Sequence, residues 1–229
     1  VVAEVGGGVT HVRPGDHVVL SWAPSCGVCF YCTHELPAQC EAYLKPTWDG
    51  TMMDGTTRLS LAEKGSPAAR RVHHFCSLAT FAEAAVVHES SCIPVRNDVP
   101  LDVAALVGCA VATGVSAVRV RAKVKQGSSV AVFGCGGVGL NIVQAAALAG
   151  ASEVIAVDIS PAKLDLAMRI GATHSVDAGA ADPVEAVRAL TQGRGADYVF
   201  EAIGRTAVMT QAVEAARRGG MVILVGLGP

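Results

Sequence analysis

Cys26, Cys29, Cys32 and Cys40 stand at the spacing C-x2-C-x2-C-x7-C, with Gly27 between the first two. Closely spaced thiolates separated by a turn-forming residue can wrap one tetrahedral Zn²⁺, so the four are read as ligands of a single ion. Two disulfides are the plainer alternative, but cysteines three residues apart pair poorly and the rest of the chain reads as an intracellular enzyme. An iron–sulfur cluster is the sharper rival; bacterial ferredoxins use C-x2-C-x2-C-x3-C-P, whereas here the last gap is seven residues and Glu41 follows. Four thiolates leave no open coordination position, so the expected zinc is structural. It holds a lobe, about residues 24–42, that is poor in large apolar side chains.

A second constellation lies downstream, where the apolar run Ser129 to Phe133 enters Gly134-Cys135-Gly136-Gly137-Val138-Gly139 and then a helical pattern through Ala149. In G-x-G-x-x-G the first glycine makes a tight turn, the second lets backbone approach a pyrophosphate, and the third lets helix pack on strand. The phosphates then lie at the helix N-terminus. A glycine string alone is weak. Here Asp158 closes the next strand nineteen residues beyond Gly139, where a carboxylate accepts hydrogen bonds from the adenosine ribose hydroxyls. The same charge repels a 2'-phosphate, and Ile159-Ser160 offers no arginine to neutralise one, so NAD is preferred over NADP. Lys163, one helical turn on, either reaches the ribose or is a solvated lysine on an exposed face.

The elements that must position these groups change character near Pro100. Residues 1–100 read as short strands and loops: Val1 to Val5, Asp16 to Ser21 after the Pro14-Gly15 turn, and the apolar run Thr80 to Val87. Pro46 to Pro67, with its Asp49-Gly50 and Asp54-Gly55 pairs, reads as surface loops. From residue 101 to 229 strands alternate with helices, the strands being Ser129 to Phe133, Glu153 to Val157, Thr173 to Val176, Asp197 to Glu201 and Met221 to Val225. Ser160-Pro161 opens a helix, and Gly150, Gly171 and Gly219 stand where helix C-termini need a left-handed residue. Repeated β-α-β units predict an α/β fold, a Rossmann-type doubly wound parallel sheet, beside a mostly β domain that carries the cysteine lobe.

With both motifs in hand, the chain resembles the zinc-containing medium-chain alcohol dehydrogenases over essentially all 229 residues. The likeness rests on Val9-Thr-His-Val-Arg-Pro-Gly-Asp-His-Val18, the cysteine lobe, Met53-Asp54-Gly55-Thr56-Thr57-Arg58, Ala79-Thr80-Phe81-Ala82-Glu83, Gly108-Cys109 with Thr113-Gly114, and the glycine loop with Asp158 and Lys163. It implies a GroES-like form for the partial catalytic domain. It also implies a catalytic zinc for which Cys109 is one ligand, the others lying upstream of Val1; from the residue alone Cys109 would be a small buried hydrophobe. By the same likeness Thr113 stands beside the nicotinamide, Ile203 and Arg205 are cofactor contacts, and the backbone of Val225, Gly226 and Leu227 meets the carboxamide. The implied reaction is hydride transfer between a primary alcohol and NAD⁺, with zinc as the Lewis acid.

Composition agrees with a small-molecule enzyme. The formal net charge is −2 and 17% of residues are charged, which gives no electrostatic footprint for nucleic acid or an anionic membrane. Hydrophobic residues reach 51% with only 4% aromatic, the composition of buried parallel strands and their covering helices. The most apolar stretch, Ala104 to Val118, is read as buried helix and turn, too short to span a membrane. The expected partners are an alcohol or aldehyde and further copies of the chain as a homodimer or homotetramer, in the cytoplasm. Both ends read as cut, the sheet as lacking its last strand, and the chain alone as inactive.

Four alternatives compete with this. The zinc-free quinone reductases of the same superfamily share the cofactor fold but have no need of the four-cysteine lobe. Short-chain dehydrogenases are excluded because Tyr31, Tyr43 and Tyr198 lack a lysine four residues later. A non-catalytic zinc-ribbon module leaves the glycine loop and Asp158 unexplained. The glutathione-dependent formaldehyde branch places an arginine four residues after the last lobe cysteine, where this chain has Leu44 followed by Lys45; a point charge does not reproduce a bidentate guanidinium. Ordinary primary alcohols, aromatic ones included, are therefore the expected substrates.

Overall fold

The structure is a computed structural model that describes residues 1–62 and 70–228. The chain divides into two compact units, Val1–Gly108 and Cys109–Pro229.

The first unit runs β1 (Val18–Leu20), α1 (Phe30–Thr33), α2 (Glu41–Asp49), β2 (Leu59–Leu61), β3 (Arg70–Val72) and β4 (Cys92–Pro94). β1 pairs antiparallel with β4, and β2 with β3. Three sequence expectations change here. Val1 to Val5 forms no strand: Val2 exchanges two backbone bonds with the turn, to Asp16 and from Gly15, both 2.9 Å, and the Gly6-Gly7-Gly8 run that follows cannot carry a ladder further. Thr80 to Val87 is irregular and Phe81 is fully exposed; Ala79, left-handed at φ 53°, breaks the extended chain just before it. Pro46 to Asp49 is helical rather than loop, because the Asp49-Gly50 turn pair serves as the end of α2, with Gly50 left-handed at φ 67°. The end of that expected loop, to Pro67, lies outside the described residues.

One helical run extends from Leu101 to Ala122 as α3 (Leu101–Leu106), a π turn, α4 (Ala112–Ser116) and a second π turn. The expectation for Ala104 to Val118 is corrected twice. The run has 22 residues and its most apolar window a mean hydropathy of 1.9, long and apolar enough by length and composition to cross a membrane, and only 22% of that window is buried. Sequence periodicity gave no reason to extend it through Gly108 and Gly114. In the second unit its Ala117, Val118 and Ala122 pack into the hydrophobic core.

That unit continues as β5 (Ser129–Phe133), α5 (Gly137–Leu148), β6 (Glu153–Asp158), α6 (Pro161–Arg169), β7 (His174–Asp177), α7 (Pro183–Leu190), β8 (Ala196–Glu201), α8 (Thr206–Ala215) and β9 (Ala216–Leu224). The five strands are parallel in the order β7-β6-β5-β8-β9. The direction of winding reverses between β5 and β8, the switch point at which open α/β sheets bind ligands. Alternate side chains of each strand enter opposite cores. Val130, Val132, Val154 and Ala156 pack with Ile142 and Val143 of α5, while Ala131, Phe133, Ile155 and Val157 pack with Ala212 and Ala215 of α8. Covering both faces is why the strands read as unbroken apolar runs.

Gly150, at φ 79°, ends α5 with Gly150 N–H donating to Ala147 and Ala151 N–H to Ala146, the Schellman pattern. Gly171 does the same for α6, through Ala172 N–H to Ala167. Gly219 does not: α8 stops at Ala215 and passes directly into β9, whose pairing shifts between Ala196↔Ala216 and Tyr198↔Met221. The left-handed Gly219 sits in that bulge.

Candidate functional site

In the lobe, Gly27 turns the chain at φ 76°, Cys32 lies on α1, and Cys40 is the residue before α2. The four sulfurs lie within 4.8 Å of one another, with Cys26 Sγ to Cys32 Sγ and Cys29 Sγ to Cys40 Sγ both 4.0 Å. A tetrahedral zinc about 2.3 Å from each sulfur requires edges of about 3.8 Å, so the cluster fits that ion. All four are free thiols, and sulfurs at 4.0 Å are far beyond a disulfide bond of about 2.05 Å. Backbone amides feed the cluster: Cys26 N–H donates to Cys40 Sγ at 3.3 Å and Cys29 N–H to Cys26 Sγ at 3.4 Å. Amides of Cys32 and Glu41 bring the Cys29 thiol down to about 6, and those of Val28 and Cys29 lower Cys26, whereas burial pushes Cys32 up to about 11.

Cys109 lies elsewhere, exposed on the π turn Val107–Val111, with half-buried Thr113 four residues on along the same helical run. Among the described residues, the lobe cysteines are the one cluster of metal-ligating side chains found.

At the C-terminal ends of the parallel strands, Gly134 is left-handed at φ 92°. A Cβ there would overlap Ile203, and one on Gly139 would overlap the Gly134 carbonyl. Gly136 meets nothing within 4 Å. Two glycines are thus needed for packing while the middle one borders open space at the start of α5, the shape a pyrophosphate cradle requires. Half-buried Val138 lies in the first turn of α5, as does Gly137.

Asp158 ends β6 with a side chain only 7% exposed. Its Oδ2 accepts from Cys135 N–H at 2.7 Å and its Oδ1 from Ser160 N–H at 2.9 Å. A carboxylate has about four lone-pair sites, so two remain for ribose hydroxyls. Lys163 Nζ stands 3.9 Å from Oδ2 with its side chain 52% exposed, so it faces the carboxylate and is solvated as well. The Ser160 side chain makes no capping bond.

Ile203 and Arg205 follow β8 and are exposed; Val225 and Gly226 follow β9 half-buried, and Leu227 is fully exposed. The two segments cross tightly, since a Cβ on Gly204 would overlap Leu227 O. Between them is a group that sequence reasoning missed. Glu201 is completely buried; its Oε1 accepts from Ile203 N–H at 2.9 Å and Gly204 N–H at 2.8 Å, while Oε2 has no partner. The one sequence cue was an acidic residue ending the apolar run Tyr198-Val199-Phe200. A cavity of about 230 Å³ opens at the opposite ends of the strands, lined by Glu153, Arg194, Asp197 and Arg217 among others. Asp197 there is already engaged by Ser129 and Arg217, and ligands of such sheets bind at the other end, so the glycine-loop crevice is the better candidate.

Residues 1–101 match the alcohol dehydrogenase GroES-like domain and residues 137–229 the zinc-binding dehydrogenase domain. The chain is 41% identical over 229 residues to S-(hydroxymethyl)glutathione dehydrogenase of Escherichia coli O139:H28, covering 99% of this chain and 60% of that protein. The chain belongs to the zinc-containing medium-chain alcohol dehydrogenases. Two crystal structures share its fold: an alcohol dehydrogenase zinc-binding domain protein from Burkholderia ambifaria (38% identity, TM-score 0.88) and benzyl alcohol dehydrogenase from Acinetobacter calcoaceticus (34%, 0.85). Each alignment covers 98% of this chain and 59% of the other. The chain therefore spans about three fifths of the length of the relatives it matches. As a zinc-containing dehydrogenase it takes zinc and NAD as cofactors, in keeping with the four-sulfur cluster and the glycine loop.

Proposed function

We propose that this dehydrogenase oxidises a primary hydroxymethyl group to the carbonyl level, NAD⁺ taking the hydride and one proton leaving to solvent, with a thiol adduct of formaldehyde such as S-(hydroxymethyl)glutathione as substrate. The observation that carries the reading is the 41% identity, over 99% of the chain, to an S-(hydroxymethyl)glutathione dehydrogenase. It outweighs the expectation of ordinary alcohols, which rested on the single position Leu44.

We assign the roles as follows. Residues 1–100 are the partial catalytic domain and 101–229 the NAD domain. Cys26, Cys29, Cys32 and Cys40 hold structural zinc. Gly134, Gly136, Gly137, Val138 and Gly139 receive the pyrophosphate; Asp158 and Lys163 hold the adenosine ribose. Thr113, Ile203, Arg205, Val225, Gly226 and Leu227 flank the nicotinamide half, and Cys109 is a ligand of the catalytic zinc. That zinc would supply a Lewis acid toward the substrate hydroxyl, and among the described residues no cluster of metal-ligating side chains lies around Cys109 to complete its site. The protein works as an oligomer, a dimer or tetramer, in the cytoplasm, where thiols stay reduced as ligands.

A second reading, an ordinary or aromatic primary alcohol as substrate, is favoured by the surface beside the lobe. Leu44 is 41% exposed, and Lys45, the cation next to it, is paired with Asp49 on the surface of α2. The deciding experiment gives the longest natural form of the protein S-(hydroxymethyl)glutathione and benzyl alcohol in turn with NAD⁺. A higher kcat/KM for the adduct supports the first reading, and a higher value for benzyl alcohol replaces it with the second.

A further inference from the structure

Glu201 links the two loops to which the nicotinamide contacts are assigned. Its side-chain Oε1 holds the amides of Ile203 and Gly204 after β8, at 2.9 and 2.8 Å. Its backbone oxygen accepts from Val225 N–H and Gly226 N–H after β9, at 2.8 and 3.0 Å. The remaining oxygen, Oε2, is buried without a partner and would lie 2.8 Å from a Cβ on Gly226. A carboxylate placed this way is costly to bury. An apolar residue there would pack as well in the strand but would leave the buried Gly204 amide and the part-buried Ile203 amide without that acceptor.

We propose that Glu201 is a positioning residue: by fixing the loop after β8 against the loop after β9, it sets the grip on the nicotinamide half of NAD and leaves the adenosine half alone. This rests on the cofactor roles proposed above. Glu201 itself has no exposed surface with which to meet a ligand; it acts through Ile203, which it holds where Gly134 lacks a side chain. Asp158 and the Cys135 amide, assigned to the adenosine ribose, belong to a different pair of strands, β5 and β6, so the ribose contacts do not run through Glu201; the glycine loop meets this device where Ile203 packs on Gly134.

The test compares NADH with ADP-ribose, which lacks the nicotinamide ring, by calorimetric titration of the full chain. Glu201→Asp draws the carboxylate back by one methylene from both amides and is expected to weaken NADH by on the order of tenfold while ADP-ribose stays within about twofold. Glu201→Gln keeps an acceptor oxygen for the two amides and is expected to restore NADH to within about threefold of the parent. Should Glu201→Asp fail to fold, Glu201→Gln decides alone: it keeps one acceptor for the two amides, so any loss is expected in NADH and none beyond about twofold in ADP-ribose. Equal weakening of NADH and ADP-ribose, or no weakening of either, overturns the proposal. A parent chain that binds neither ligand overturns instead the cofactor assignment beneath it.

Discussion

The Asp158 carboxylate accepts a hydrogen bond from the Cys135 amide at 2.7 Å. This one contact ties the end of β6 to the second residue of the glycine loop, so the group assigned to the ribose also fixes the shape of the turn assigned to the phosphates.

Removing that carboxylate should therefore affect stability as well as binding. Asp158→Ala strands the amides of Cys135 and Ser160, at about 1–3 kcal/mol each, whereas Asp158→Asn retains acceptor capacity. Urea unfolding is expected to show a loss of about 2 kcal/mol or more for alanine and a smaller loss for asparagine. Equal losses would mean that the two amide bonds carry no weight.

The glycines of the loop should separate folding from binding. Gly139→Ala would overlap the Gly134 carbonyl and is expected to destabilise the chain by about 2 kcal/mol or more. Gly136→Ala meets nothing in the structure, so its melting temperature should hardly move, while its methyl occupies space assigned to the pyrophosphate and NADH affinity falls at least about tenfold. A Gly136→Ala variant with parental affinity would remove the phosphate assignment.

The lobe should lose its metal as a unit. Purified chain is expected to carry about one zinc by atomic absorption, and Cys40→Ser, at a sulfur that is completely buried, should carry almost none and be cut rapidly by protease between residues 24 and 42. Zinc should also leave on acidification, because protonation of the thiolates competes with the ion. Full zinc retention in Cys40→Ser would contradict the four-sulfur site.

Cys135 and Cys109 should differ in reactivity. Burial, and then the neighbouring Asp158 charge, push the Cys135 thiol up from 9.0 to about 12, so it stays protonated at neutral pH, while Cys109 is exposed. Iodoacetamide at pH 8 followed by peptide mass mapping should label Cys109 and spare Cys135. A raised folded value means the native state holds its proton more tightly than the unfolded one. The stability this contributes is complete below pH 9 and is lost as pH rises from about 9 toward 12. Rapid labelling of Cys135 in folded chain would contradict its burial.

Much of the second unit was legible in the sequence because both faces of its sheet are covered: apolar runs such as Ser129 to Phe133 fall on strands, and Gly150 and Gly171 end helices where a left-handed residue was required. The lobe was legible because four cysteines at short spacing have few other uses. The first unit was less so. Its strands are three residues long, too short for alternation to be counted, so Val1 to Val5 and Thr80 to Val87 look as strand-like as β1 does. Gly219 failed as a helix stop because a glycine that permits a bulge and one that caps a helix share the same backbone region. Glu201 went unread since nothing local says which amides a strand-end carboxylate will meet.

Cofactor choice depends most on a carboxylate that grips the adenosine ribose and refuses a phosphate on it. Titrating the purified chain with NADH and NADPH under the same buffer tests this directly: NADH should bind at least about tenfold more tightly, and equal affinity, or a preference for NADPH, would contradict the assignment of Asp158 and the NAD reading with it.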